Sequence, residues 1–402
     1  MQYIFIYTHI LFFVTLFWTI FPNYGTATDK TPVAILLNHN SLSYEITESF
    51  FKGLKSANTS NNTFTFEPHD TSQLITLQEW SDFFDSLQRK NIKYFIGPVL
   101  KNEVIKATQV LNDKHSVGIA LNYIERIETD IKTTLPNISY LSISPKDDID
   151  MLVNLLTPYL GKHIVILPET ISNNDFNLPE YDIFEFWYYD ESSANFNELV
   201  SYLLHSDLSQ ARMLQLVETI ENKVTFQQRR RQDIKSITIL GSNKNIATIK
   251  SFLNYYYIDQ VPIFIPITIL DKWNIKSIIN YKGSLIMGST WLNDYSTNLK
   301  KLNFKELEIK KLNPFFFALG FDSITLLSNI IKSNHDLSKL PTLLGTYIFD
   351  PRSGRFKRNG TVSLIDTQSI ISLNQNQISF QLQKKLNYYY KQRKLLIKPK
   401  NE

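Results

Sequence analysis

From Pro32 onward the chain alternates short apolar runs with stretches whose apolar residues recur every three or four positions. Pro32 to Leu37 (PVAILL) is apolar on both faces and ends in the polar loop Asn38-His39-Asn40-Ser41, the pattern of a strand buried within a parallel sheet. Leu42, Ile46, Phe50 and Leu54 follow at helical spacing, which predicts an amphipathic helix. The rhythm continues with strands at Thr63 to Glu67, Tyr94 to Pro98, Val117 to Leu121 and Tyr140 to Ile143, and a helix at Trp80 to Leu87. It restarts with a helix at Ile149 to Leu160 and strands at His163 to Leu167, Ile183 to Tyr188, Ile234 to Leu240 and Ile263 to Ile265. Helices are expected at Asn197 to Leu204 and Lys244 to Tyr256, and Ser206 to Gln232 reads as a short helix and a polar surface loop. In the last third, Gly283 to Thr290 precedes a helix at Phe315 to Ile331. Pro351-Arg352-Ser353-Gly354 then turns the chain between two strands, and Asn359-Gly360 reads as a second turn before Val362 to Ile365. Alternating strand and helix implies right-handed crossovers and doubly wound parallel sheets. One such sheet rarely grows beyond about 250 residues, so two lobes are expected.

Ahead of these elements, Tyr3 to Phe21 carries no fixed charge over 19 residues, close to a bilayer-spanning length. Gly25-Thr26-Ala27 places small residues where a signal peptidase cuts. Residues 1–27 therefore read as a signal peptide or a retained N-terminal membrane anchor, and in both cases the remainder is exported. No later stretch reads as a membrane span. The 42 basic and 38 acidic residues leave a net charge of only +4, so no nucleic-acid partner is expected. Basic residues do cluster at Arg229-Arg230-Arg231 and between Lys384 and Lys400, and such runs are usually solvated faces. The absence of cysteine excludes disulfides, zinc-thiolate sites, thiol catalysis and a lipid on an N-terminal cysteine within this sequence.

No glycine-rich nucleotide loop, nucleophile elbow or paired-histidine zinc motif is present. The expectation is a non-enzyme with no cofactor and no metal. His39 follows a strand C-terminus, where ligands bind in α/β sheets, though a solvated loop histidine is the plainer reading. Asp147-Asp148-Ile149-Asp150 lacks the spacing of a calcium loop. It reads instead as the acidic first turn of a helix, with Ser144 as cap and Pro145 just inside. Trp291 follows a strand and a Gly-Ser-Thr turn, which leaves cleft lining and core packing equally open. For Tyr255-Tyr256-Tyr257 the plainer reading is that part of the cluster packs in the core and the remaining phenol faces out, and Phe315-Phe316-Phe317 reads as the start of a buried helix.

One known family carries several of these pieces in the same order. Arg230-Arg231-Gln232-Asp233-Ile234, followed by Thr248 to Tyr257 and Val261-Pro262-Ile263-Phe264, resembles the signature of the LppC/LpoA family of penicillin-binding protein activators. Ser209-Gln210-Ala211-Arg212, Ile96 to Lys101, Ser142 to Pro145, Ala318-Leu319-Gly320-Phe321-Asp322 and Leu344-Gly345-Thr346 add to the resemblance, which runs from about Pro32 to about Asp366. It implies a type I periplasmic-binding-protein fold, with two doubly wound lobes joined by three crossings near 142–145, 266–270 and 340–344. Lobe 1 would comprise 31–144 and 267–341, lobe 2 would comprise 145–266 and 342–373, and 374–402 would be a basic tail. It further implies a periplasmic regulator that docks on a class A penicillin-binding protein, a bifunctional peptidoglycan synthase, and stimulates its transpeptidase activity. The family's lipid-bearing cysteine and long helical-repeat domain have no counterpart in these residues; if the first helix is retained and not cleaved, it would place the protein beside a synthase in the membrane. The alternative is a periplasmic solute receptor for an amino acid or a similar small molecule. Residues placed at a cleft or partner surface are Asn38, His39, Ser41, Gly97, Pro98, Asn122, Ser144 and Trp291.

Overall fold

The computed structural model describes residues 30–59, 62–111, 115–123, 137–141, 145–170, 183–192, 195–219, 226, 229–256, 261–267, 279–332, 337, 339–367 and 369–382. The export segment, Ser144 and most of the basic tail lie outside these residues.

The first half alternates β1 (Thr31–Leu37), α1 (Tyr44–Asn58), β2 (Phe64–Asp70), α2 (Leu77–Arg89), β3 (Tyr94–Ile96), α3 (Lys101–Leu111), β4 (Val117–Ala120) and β5 (Ile138–Leu141). Next come α4 (Pro145–Leu156), β6 (Lys162–Pro168), β7 (Phe184–Tyr189), α5 (Phe196–Leu203), α6 (Ser206–Thr219), β8 (Ile234–Ile239), α7 (Asn243–Tyr255), β9 (Ile263–Pro266) and β10 (Leu285–Gly288). Short helical turns between 290 and 309 lead to α8 (Pro314–Lys332), followed by β11 (Leu340–Pro341), β12 (Thr346–Asp350), β13 (Arg355–Asn359), β14 (Thr361–Ile365) and β15 (Ile370–Ser372). Among the described residues these strands form two sheets, ordered β11-β12-β13-β5-β4-β3-β1-β2 and β15-β14-β10-β9-β8-β6-β7. The parallel strands occupy the middle of each sheet, and antiparallel pairs close one edge. This is the expected α/β, type I periplasmic-binding-like architecture.

Period-two alternation explains why β1 is apolar throughout. Val33, Ile35 and Leu37 face one layer with Phe50 and Leu54 of α1. Ala34 and Leu36 face the opposite layer with Trp80, Phe84 and Leu87 of α2. In the second sheet, Ile164 and Ile166 face the layer that holds Ile246 and Ile249 of α7, while Val165 and Leu167 meet Ile149 and Val153 of α4. Thr76 and Glu79 close a capping box at the start of α2, satisfying two of the amides a helix leaves open there. The helix within Ser206 to Gln232 extends through Thr219, and Ser206 is its one buried residue.

Three differences from the sequence expectation stand out. The first passage between sheets falls between Leu141 and Pro145 as expected, but the other two do not fall where expected. β10 pairs with β9 and β14, so it belongs to the second sheet and the chain returns between Gly288 and Pro314. β12 and β13 belong to the first sheet, so the last passage is Gly360, between β13 and β14. Sheet membership is a non-local choice, and an apolar run carries no mark of which sheet it joins. Asn359-Gly360 is accordingly a crossing and not a hairpin turn. A Cβ on Gly360 would sit 2.6 Å from an Arg358 nitrogen and 2.7 Å from the Gly288 carbonyl oxygen, so the crossing has no room for a side chain.

The second difference concerns α8, which is long and apolar enough to cross a membrane, contrary to the expectation that no later stretch is. It is instead a core helix, packed so closely on α1 that Cβ atoms on Gly53 and Gly320 would lie 2.0 Å and 2.2 Å from the opposite backbone. Third, residues 375–382 are helical. Ile378 and Leu382 are buried with Leu152, Leu156 and Phe264, and Tyr159 Oη donates to Ser379 Oγ at 2.7 Å.

Candidate functional site

Two polar regions stand apart from ordinary surface. The first is the edge of the first sheet formed by the C-terminal ends of the adjacent strands β1, β3 and β4. The fold brings Asn38, His39, Ser41, Gly97, Pro98 and Asn122 to this edge, as the sequence suggests. Asn38 is buried. Its Nδ2 donates to Glu103 Oε1 at 2.6 Å, and its Oδ1 accepts the amides of Asn40 and Ser41 at 3.1 Å each. Thr71 Oγ1 donates to the other Glu103 oxygen at 3.1 Å. Burial raises the Glu103 carboxyl above the usual carboxylate range, against the two side-chain bonds that favour its charge. Gly97 joins Pro98 through a cis peptide and has φ +103°. Asn122 Nδ2 donates to the Val99 carbonyl at 3.0 Å. The loops are thus bonded to themselves.

His39 and Ser41 are the exposed members of the set. The His39 ring lies 4.0 Å from Asp70, with half of its side chain in solvent. Slight burial opposes the Asp70 charge, but amides from Ser72 and His39 and the Ser72 hydroxyl hold its carboxyl below the ordinary value. Trp291 is not at this edge. Its ring stacks on Phe317 at 5.7 Å and 4°, in a layer with Leu299 and Leu312, so the core reading holds for it.

The second region joins the two sheets. Asp147 and Asp148 lie in the acidic first turn of α4, where the helix dipole favours them. Helix-end electrostatics is only part of their role, because both are buried ion-pair partners. Arg355 Nη2 donates to Asp147 Oδ1 at 2.7 Å, the Arg358 amide donates to Asp147 Oδ2 at 3.4 Å, and Arg358 Nη2 donates to Asp148. The Arg358 and Asp148 side chains are each 1% exposed. The Arg355 guanidinium lies 5.0 Å from the centre of the Tyr123 ring, within cation–π range. The Ile267 amide donates to Asp148.

Asp322 of α8, also fully buried, accepts from Thr342 Oγ1 at 2.9 Å and from the amides of Leu343 and Leu344 at 2.8 and 3.0 Å. Burial pushes Asp148 up to about 6 and Asp322 up to about 7, against Arg358 and the bonds each accepts. Asp147 is raised for the same reason, and Tyr347 well above its ordinary value. Burial works against the Arg358 charge, but Asp148, Tyr347 and Asp147 outweigh it and hold its pKa above the ordinary value. Sequence reasoning missed Arg355, Arg358 and Asp322 as a group. The available signal was charge inside apolar patterns, most clearly Asp322 in the middle of α8.

The Arg230 to Ile234 block is also structural. Arg231 grips both oxygens of Glu185 on the edge strand β7 at 2.8 Å each, and both oxygens of Asp233 at 2.8 and 2.7 Å. Its hydrogen bonds hold the Glu185 and Asp233 carboxyls below the ordinary range. Arg231 is therefore not part of a solvated basic patch. His163 is buried between Ser236 Oγ at 2.8 Å and the Tyr159 carbonyl at 3.1 Å. Among the described residues no group of three or more acidic, cysteine or histidine side chains is placed to hold a metal ion.

No family profile matches the chain. The penicillin-binding protein activator LpoA of Aliivibrio fischeri is 23% identical over 187 residues, which cover 43% of this chain and 29% of that protein. Full-length LpoA from Haemophilus influenzae superposes with a TM-score of 0.59 at 17% identity, covering 86% of this chain and 59% of that one. The H. influenzae LpoA C-domain, described as a regulator of PBP1A, gives 0.58 at 17% identity, covering 85% of this chain and all of that domain. A putative branched-chain amino acid ABC transporter from Chromobacterium violaceum gives 0.54 at 12% identity, covering 83% of this chain and all of its own. The chain spans less than a third of the length of the curated relative it matches, and together these findings bear out the LppC/LpoA resemblance and the type I periplasmic-binding-like fold.

Proposed function

Taking that fold and those motifs as the premise, we propose that the chain is a non-catalytic regulator of peptidoglycan synthesis. In this reading it binds and activates a bifunctional, class A penicillin-binding protein, and catalysis belongs to that partner. The observation that carries the reading is the match of 85% of the chain to a whole LpoA C-domain. It is supported by the part that motif residues Arg231, Gly320 and Asp322 play in holding this fold together. The solute-receptor alternative is less favoured, because the polar side chains of Asn38 and Asn122 are engaged within the protein. The chain acts outside the cytoplasmic membrane, exported by its first 27 residues, and a retained first helix would hold it beside a membrane-bound synthase.

The test is capture from solubilised envelope with the full chain as bait. Enrichment of a class A penicillin-binding protein over a control bait is expected. Its repeated absence, with other envelope proteins recovered, would overturn the proposal. Intact mass of the native protein in membrane and soluble fractions decides the tether. Full-length mass in the membrane fraction is the result expected for an anchored regulator.

A further inference from the structure

The buried charges between the sheets sit at two of the three passages by which the chain crosses from one sheet to the other. Arg355 and Arg358 lie on β13, the last strand of the first sheet before the chain crosses at Gly360. Asp147 and Asp148 lie in the first turn of α4, just after the chain leaves β5. The two ion pairs therefore tie one passage directly to the other. Ile267, just beyond β9, adds a third attachment through its bond to Asp148. A Cβ on Gly360 would meet an Arg358 nitrogen at 2.6 Å and the Gly288 carbonyl oxygen at 2.7 Å, so the crossing leaves no room for a side chain. Hinged proteins move by large backbone rotations at a few residues in such passages. Here a rotation would separate buried ions from their counter-ions, which is strongly unfavourable.

We propose that this network locks the angle between the lobes, so that the domain holds one arrangement without a bound solute to set it. The titratable groups that face one another are Asp147 and Asp148 from α4, with Asp150 nearby, Arg355 and Arg358 from β13, Asp322 from α8 and the neutral phenol of Tyr347 from β12. A buried ion network adds little stability over apolar packing of the same volume. A fixed geometry is what it contributes here. The lock is a property of the chain alone and does not depend on the identity of a partner.

The chain has no cysteine, so two introduced cysteines take spin labels without background. Tyr44→Cys on α1 and Tyr255→Cys on α7 place one label on each lobe, at side chains 79% and 71% exposed. Electron–electron distance measurement on the labelled chain is expected to give one narrow distribution. Adding Asp148→Leu with Arg358→Met removes both partners of the deepest pair. It should broaden the distribution roughly twofold while circular dichroism and a cooperative melt report a folded chain. If that variant does not fold, Asp148→Asn, which keeps shape and an acceptor oxygen, is read in the same way. A broad or two-peaked distribution in the labelled chain without further substitutions, or a narrow unchanged one in the folded variant, overturns the lock.

Discussion

Two arginine–carboxylate clusters in this molecule use the same chemistry with opposite consequences for protons. At the edge of the second sheet, Arg231 grips Glu185 and Asp233 where Asp233 is still half in solvent. There the arginine wins, and both carboxyls are held below their ordinary range. Between the sheets, Arg355 and Arg358 meet Asp147, Asp148 and, at longer range, Asp322, all within the protein. There desolvation wins, and all three carboxyls are raised. An ion pair at a wet edge fastens a strand at little cost, whereas a buried one is tolerated only while every charge keeps its partner.

The largest expected effect comes from breaking the buried cluster on one side. Arg358→Ala leaves Asp148 buried without its partner and should cost about 3–5 kcal/mol in urea unfolding. The double substitution Asp148→Leu, Arg358→Met should recover most of that loss. If the double variant is as unstable as the single one, the cost lies in packing and not in stranded charge. Gly360→Ala should cost about 1–3 kcal/mol by overpacking the crossing against Arg358 and the Gly288 carbonyl. At the wet edge, Arg231→Ala should cost about 1–2 kcal/mol. Arg231→Lys should recover only part of this, since lysine keeps the charge and loses the fork.

The pH dependence separates the clusters further. The raised carboxyls Asp148 and Asp322 contribute stability that is fully present below the ordinary carboxylate range and is lost as pH rises through about 6 and about 7. The lowered carboxyls Glu185 and Asp233 contribute stability that is present above that range and is lost as pH falls. Melting temperature should therefore peak on the acid side of neutrality. Arg231→Ala should flatten the acid limb, and the Asp148→Leu, Arg358→Met pair should flatten the limb toward pH 8. A melting temperature that climbs steadily from pH 5 to 8 would contradict the assignment. The smallest effect is expected for His39→Ala, within about 0.5 kcal/mol, because the ring is half in solvent.

Local features of this fold were legible in the sequence. The two-faced run of β1 and the apolar faces of α1 and α7 follow from spacing, and the start of α4 at Pro145 from the proline and the acidic first turn. Pairing between distant residues was not legible. Asp147 and Arg355 are 208 positions apart, and nothing in either local pattern points to the other. The same limit explains the two misplaced crossings, since β10 and β13 take their sheet from partners far along the chain. The strand-end residues Asn38, Gly97, Pro98 and Asn122 lie together at one sheet edge. Their sequence could not show that the Asn38 side chain turns inward to Glu103, 65 positions away. Trp291 was left open by its context, and only its contact with Phe317 decided it.

The most direct test of the central claim is reconstitution. A class A penicillin-binding protein from the same envelope would be supplied with its lipid-linked substrate, with and without this chain, and the cross-linked fraction of the product measured. A several-fold rise in cross-linking that saturates with added chain, with no turnover by the chain alone, is the result expected of a non-catalytic activator. Unchanged cross-linking at saturating chain, with the synthase active and the chain folded, would contradict it.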